Sequence, residues 1–236
     1  MEKEIGKKPL IELKKLQKVY SHKGFSVKAL DYISLKIFKG EVLGIIGRSG
    51  SGKTTLLNLI GLLDKPTSGE IKFDGEVLDN ISNRGLAVLR REKIGFVFQT
   101  FNLLPSLTVF ENVEAALIHS QLSEEQIENK IASLLDDLHL DDMADRLPLE
   151  LSVGQRQKVA MARAIVKDPA LIIADEPIGE MDPIAGAEIL DKLIALNKKS
   201  KITLIIASHG TSLLLKADRI IFIKDGKLVS QKESGY

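Results

Sequence analysis

GRSGSGKTT, residues Gly47–Thr55, follows the apolar stretch EVLGIIG and runs into TLLNLIGLL. A strand, a glycine-rich turn and a helix are expected in that order. Gly47, Arg48, Ser49, Gly50, Ser51, Gly52, Lys53 and Thr54 satisfy G-x-x-x-x-G-K-[ST], and Thr55 continues the helix. The glycines let backbone amides turn inward around phosphate oxygens with no Cβ in the way. The helix N-terminus adds partial positive charge. Lys53 supplies a full charge to β- and γ-phosphates, and the Thr54 hydroxyl is a ligand for Mg²⁺. A plain glycine turn with an exposed lysine is the competing reading, and the complete pattern in this context argues against it.

The rest of the chain is compatible with such a core. It has 236 residues, 44% hydrophobic and 28% charged, enough for one generous globular domain. Thirty-three Lys and Arg against 32 Asp and Glu give a net charge of +1, so no nucleic-acid partner is expected. The absence of cysteine excludes a disulfide scaffold and suits the cytosol. MEKEIGKKPL has no apolar run behind its charges, so no signal peptide is expected. No apolar run reaches the roughly eighteen residues of a membrane span, so any membrane role requires a partner.

LIELKKL, YISLKIF and EIKFDGEVL alternate and break at glycine or Asp-Gly, as antiparallel hairpins do. EVLGIIG reads as a strand buried on both faces. IGFVFQ ends a further strand at Gln99. From Thr108 to Lys167 the pattern is helical. In SEEQIENKIASLLDDLHL, Ile127, Ile131, Leu134, Leu135 and Leu138 share one face of a helix opened by Ser123. ALIIADEP and KITLIIAS return as buried strands, joined by a helix starting near Pro183, and RIIFIKDGKLV is a hairpin turned at Asp225-Gly226.

LIIADEP places Asp175 and Glu176 at the tip of a buried strand. Beside the phosphate turn, Asp175 suits the Mg²⁺ shell and Glu176 suits orienting or deprotonating an attacking water. A second candidate phosphate site lies in ELSVGQRQKVAMARAI, Glu150–Ile165, where Ser152 occupies an N-cap position and a glycine follows. An ordinary capped amphipathic helix is its alternative.

The phosphate turn, Gln99 after a strand, LSVGQ some distance before LIIADEP, the aspartate of GEMDP and His209 after the next strand resemble, in that order, the ATPase subunits of ABC transporters. The likeness covers essentially the whole chain. LLDKPTSGEIKFDG and IGFVFQTFNLLPSLTVFENV resemble the lipoprotein-release and macrolide-exporter branch. The resemblance implies an α/β fold: a P-loop NTPase core of ABC ATPase type with an antiparallel β lobe and an α-helical lobe. Residues 1–236 would form one domain, with core and β lobe in 9–98 and 168–236 and a helical lobe in 99–167.

It also implies ATP and Mg²⁺ as ligands, hydrolysis of ATP, and a head-to-tail dimer in which each chain's LSVGQ faces the other's phosphate turn. Ser152, Gly154, Gln155 and Asp182 would then act in trans on the partner's nucleotide. Tyr20 would stack on adenine, with Phe25 as a rival. Gln99 would sense Mg²⁺ and the water, and His209 would contact the γ-phosphate. Phe101–Leu104 would line a permease groove, with a core role as the alternative. The chain would be cytoplasmic and peripheral to the membrane through its permease. A nucleotide-switched dimer that transmits force through a permease-like protein without transport is the rival function, and an inactive nucleotide-binding module is a third. His22, His119 and His139 read as surface residues.

Three positions depart from the family's pattern. Val153 stands where the signature normally has its first glycine, which leaves two possibilities: a backbone at negative φ that tolerates valine, or a strained one with weakened phosphate binding. Ile178 replaces a frequent threonine, and Gly210 removes a carboxylate beside His209.

Overall fold

The computed structural model describes residues 8–210 and 216–235. The long antiparallel pair β1 (Pro9–His22) and β2 (Phe25–Phe38) comes first, then β3 (Val42–Ile46) and α1 (Lys53–Ile60). β4 (Ser68–Phe73) and β5 (Glu76–Val77) follow, with α2 (Asn83–Lys93) leading into β6 (Ile94–Phe98). The helical stretch holds α3 (Val109–Glu114), α4 (Glu124–Asp137) and α5 (Val153–Ile165). The chain then alternates through β7 (Leu171–Asp175), α6 (Pro183–Ser200) and β8 (Thr203–Ser208). It closes with β9 (Arg219–Lys224), β10 (Lys227–Val229) and the short α7 (Gln231–Ser234).

Two sheets result. The antiparallel one has the order β2-β1-β4-β5; the other has the order β10-β9-β3-β8-β7-β6 and is parallel except at β10. Every residue of β3 and β8 is buried, because both faces of the parallel sheet are covered. Alternation along each strand divides the side chains. Leu43, Ile45, Ile173 and Ile205 join α1 and the antiparallel sheet in one apolar cluster. Val42, Ile172, Leu204 and Ile206 point the other way, into a cluster with α3, α4, α5 and α6. Each such Leu or Ile stabilises the fold by roughly 1.5–3 kcal/mol relative to exposure.

Most of the expected elements are present. The hairpins turn at Asp74-Gly75 and Asp225-Gly226. Ser123 caps α4 with a reciprocal capping box, and Ile131 and Leu135 of its apolar face are buried. Strand β6 stops at Phe98, so Gln99 is the first residue beyond it. Helix α2 has no counterpart in the expectations above. It buries only Leu86, and Gly85 interrupts its first turn, which leaves a weak periodic signal.

The strand order positions the site. β3 is central, with β8 on one side and β9 on the other. The chain therefore leaves β3 at the point where successive connections depart in opposite directions, and the crevice beyond the strands' C-terminal ends is where such sheets take ligands.

Candidate nucleotide site

A cleft of about 880 Å³ opens at those ends. Arg48, Ser49, Gly50 and Gly52 line it from the turn after β3, Lys53, Thr54 and Thr55 from the first turn of α1, and Gln99, Glu176 and His209 from just beyond β6, β7 and β8. Gly52 holds φ +108, and a Cβ there would lie 2.7 Å from the Ala29 carbonyl, so only glycine fits. Because Gly52 is also the N-cap of α1, that helix begins without a side-chain cap. Gly47 and Ser51 complete the turn; Ser51 is buried, and its Oγ has no partner.

Lys53 is 6% exposed. Its ammonium donates to the Gly47 carbonyl at 2.7 Å and the Arg48 carbonyl at 3.2 Å, and lies 3.3 Å from Glu176 Oε1. The cation therefore sits on the floor of the cradle, facing the acid. The Thr54 hydroxyl donates to Asp175 Oδ2 at 2.8 Å. Asp175 Oδ1 is buried with no partner. Burial pushes the Asp175 carboxyl above the usual range; the Thr54 hydrogen bond opposes this, and the neighbouring Glu176 charge adds to it. A buried carboxylate oxygen without a donor, beside a threonine hydroxyl, is an arrangement a cation would complete.

Glu176 and His209 form the opposite wall. His209 Nδ1 lies 2.8 Å from Glu176 Oε2, and the His209 amide donates to the same oxygen at 3.3 Å. A carboxylate only accepts, so the shared proton is on Nδ1. The Gln99 side chain lines the cleft, and its Nε2 donates to Glu180 Oε1 at 3.1 Å.

Ser152, Gly154, Gln155 and Asp182 are not among the residues lining this cleft. Ser152 Oγ accepts from the Gln155 amide at 3.3 Å, and Gln155 Oε1 accepts from the Ser152 amide at 2.8 Å. Val153 is the first residue of α5 and is not among the residues with positive φ. Of the two possibilities for valine at this position, backbone strain is thereby removed. Asp182 is the N-cap of α6, accepting from Ile184 and Ala185 at 3.0 Å.

Tyr20 is 43% exposed and does not line the cleft. Its hydroxyl donates to Asp64 at 2.9 Å, and Lys18 lies 4.8 Å over its ring. Phe25 is 82% exposed. The FNLL stretch divides: Leu103 packs on the core, whereas Leu104 is exposed. Ile178 packs against the core cluster, the Gly210 amide donates to Ser208 Oγ, and His22, His119 and His139 are on the surface.

Several site residues escaped the sequence. Val27, Lys28 and Ala29 of β2 and the Asp225-Gly226 turn form the outer wall of the cleft. The Gly226 amide donates to the Ser51 carbonyl at 2.9 Å, which ties that hairpin to the phosphate turn. These residues meet only because β9 lies beside β3. Gln157 and Arg163 of α5 also reach toward the site. Arg163 donates to the Phe101 and Asn102 carbonyls at 2.8 and 2.6 Å, just past Gln99. Gln157 did leave a sign, as a polar residue in the apolar stripe of Ala160, Met161 and Ala164.

A cradle of amides, a buried lysine, a threonine–aspartate pair and a glutamate–histidine pair at the tips of a parallel sheet define a P-loop nucleoside triphosphatase. The ABC transporter family model matches residues 30–179, and the chain belongs to that family, as one of its ATP-hydrolysing cassettes. It is 40% identical over 228 residues to an uncharacterized ABC transporter ATP-binding protein of Thermotoga maritima, covering 97% of each chain. It is 41% identical over 221 residues to the macrolide export ATP-binding/permease protein MacB of Shigella flexneri, covering 94% of this chain but 34% of that one. Among solved structures, the dimeric form of the bacterial ABC transporter cassette MJ0796 superposes with a TM-score of 0.87 at 40% identity, covering 93% of this chain and 97% of that one. MJ0796 has also been solved as a dimer in a post-hydrolysis state bound to ADP and Pi, with a TM-score of 0.87 at 39% identity.

Proposed function

We propose that this chain hydrolyses Mg-ATP as one half of a head-to-tail dimer and drives a separate membrane permease of the lipoprotein-release or macrolide-export kind. One observation carries the reading. The cleft holds cation, acids and amides from a single chain, while a second glycine-bearing helix start, Ser152–Gln155, lies outside it. A second copy turned head to tail gives that helix a phosphate to meet. The likeness to the dimeric MJ0796 cassette supports the arrangement, and the likeness to one third of MacB supports a permease partner. No described helix is long and apolar enough to cross a membrane. A cytoplasmic chain peripheral to the membrane follows from that partnership, with residues 99–167 as the helical lobe that faces the permease.

In this reading the turn amides and Lys53 bind the β- and γ-phosphates. Thr54, Asp175 and the Gln99 carboxamide would hold the metal, which would supply neutralisation of charge on the phosphates. Among the described residues no three acidic or histidine side chains cluster as a metal site, and a Mg²⁺ held here would keep water and substrate phosphate among its ligands, as that ion commonly does. Glu176 takes a proton from the attacking water. His209, fixed by its Nδ1 bond to Glu176, turns Nε2 toward the γ-phosphate. Tyr20 offers the ring face not covered by Lys18 to the adenine, a contact worth roughly 1–3 kcal/mol. Ser152 keeps its O–H free while Oγ serves the cap, so the hydroxyl and the Gly154 amide meet the partner's γ-phosphate, with Gln155 and Asp182 beside them. Bound triphosphate then joins the two chains, and loss of phosphate separates them.

Glu176→Gln tests the base. Phosphate release should fall by on the order of 10²–10⁴, and the variant should accumulate as an ATP-bound dimer in size-exclusion chromatography. Turnover at the wild-type rate would remove Glu176 from this role.

A further inference from the structure

Gln157 lies two residues past Gln155 on α5 and is fully buried. A carboxamide in an apolar stripe is costly unless both of its ends are hydrogen-bonded. Here one end is. Nε2 donates to the Pro177 carbonyl at 2.6 Å, and Oε1 is buried with no partner. Leucine or methionine would fill the same space without a polar atom. Packing therefore does not account for glutamine at this position, and the bond to Pro177 does.

That carbonyl belongs to the residue after Glu176. Glu176 has φ +48, uncommon for a residue with a Cβ, and it also precedes proline, which narrows its backbone further. Such a conformation persists only where the surroundings over-determine it. Two bonds come from nearby: the Glu176 amide donates to Ala207, and the Gly179 amide donates to the Glu176 carbonyl, each at 3.0 Å. The third, from Gln157, reaches across from the helix that begins at Ser152. The same helix grips the segment past Gln99 through Arg163.

We propose that Gln157 is a positioning residue through which α5 sets the aim of the Glu176 carboxylate, linking the two composite ATP sites. This rests on the reading above, in which Glu176 is the base of one site while α5 meets the nucleotide of the other. A helix drawn onto the partner's phosphate moves Gln157 with it. The Pro177 carbonyl follows, and the strained Glu176 backbone settles into its working direction. Each site's base is thereby informed of the other site's occupancy.

Gln157→Leu and Gln157→Glu in the full chain test this, with thermal melts to confirm folding. Binding of a non-hydrolysable ATP analogue should be unchanged, while kcat of Gln157→Leu falls on the order of 10- to 100-fold, as misplaced catalytic groups do. The introduced glutamate can donate to Pro177 only when protonated, so kcat of Gln157→Glu relative to wild type should rise toward acid pH. A flat ratio overturns the proposal even where the leucine variant does not fold. In the Glu176→Gln background, adding Gln157→Leu should cost nothing further, because Gln157 acts only through Glu176. A full additional loss places its action elsewhere and overturns the role. An inactive Glu176→Gln beside a fully active Gln157→Leu removes the positioning role alone. An active Glu176→Gln removes the base assignment, and the positioning role with it.

Discussion

Helix α1 starts from Gly52, a left-handed residue with no side chain to cap it, whereas α5 starts from Ser152, closed by a reciprocal box with Gln155. Glycine precedes α1 at Gly52 and lies inside the first turn of α5 at Gly154, and both helix starts read as phosphate cradles in the sequence. They differ in what the chain itself supplies. Around α1 the fold gathers Lys53, Asp175, Glu176 and His209, so cation, acid and amides converge within one molecule. Around α5 it gathers nothing comparable, and the Ser152 side chain caps the helix through the Gln155 amide. A complete cradle binds from within. In the proposed function a capped one is half of a contact, offering the Ser152 hydroxyl and the Gly154 amide to a ligand on another molecule.

The sharpest way to break this comparison is Lys53→Ala. The buried ammonium is the cradle's full charge, so turnover should fall on the order of 10²–10³, measured by phosphate release. A small effect would mean that the amides alone suffice and that α1 and α5 differ less than their surroundings suggest.

Gly154→Ala separates fold from function at α5. An added Cβ would lie 4.0 Å from Met181 Cε with nothing nearer, so the chain itself does not require glycine there. Alanine should stabilise the helix by up to about 1 kcal/mol and raise the melting temperature. ATP-driven dimerisation, followed by light scattering in the Glu176→Gln background, should weaken, because the partner's phosphate needs the space. A variant that is both more stable and equally able to dimerise would remove Gly154 from the interface.

Val153→Gly should have the smallest effect. The valine already sits in helical backbone, so glycine relieves no strain and costs under about 1 kcal/mol in a denaturant titration. ATP affinity should stay as in wild type, and tighter ATP-driven dimerisation would show that the valine side chain itself obstructs the contact.

The legible part of the site was local. Turn, helix start and strand tip each leave a spacing, and the glycine cradle, the acids of LIIADEP and the caps at Ser123 and Ser152 were open to that kind of reading. Long-range pairings left no spacing. Thr54 bonds Asp175 across 121 positions of sequence, and Tyr20 is tied to Asp64 rather than set into the cleft wall. Asp182 is the cap of α6, a role the reading of GEMDP did not include. Helix α2 was missed because one buried leucine and an interior glycine carry little periodicity.

By itself the amino-acid order determined the phosphate chemistry and the identity of the buried strands, because glycine, lysine and short apolar runs rich in isoleucine, leucine and valine act within a few residues. Only the tertiary arrangement decided that β8 and β9 flank β3, that the Asp225-Gly226 turn closes on the cradle, and that Gln157 donates to the Pro177 carbonyl. Sheet order and helix packing bring together groups that no sequence interval relates, and the geometry of those meetings sets what each group can do.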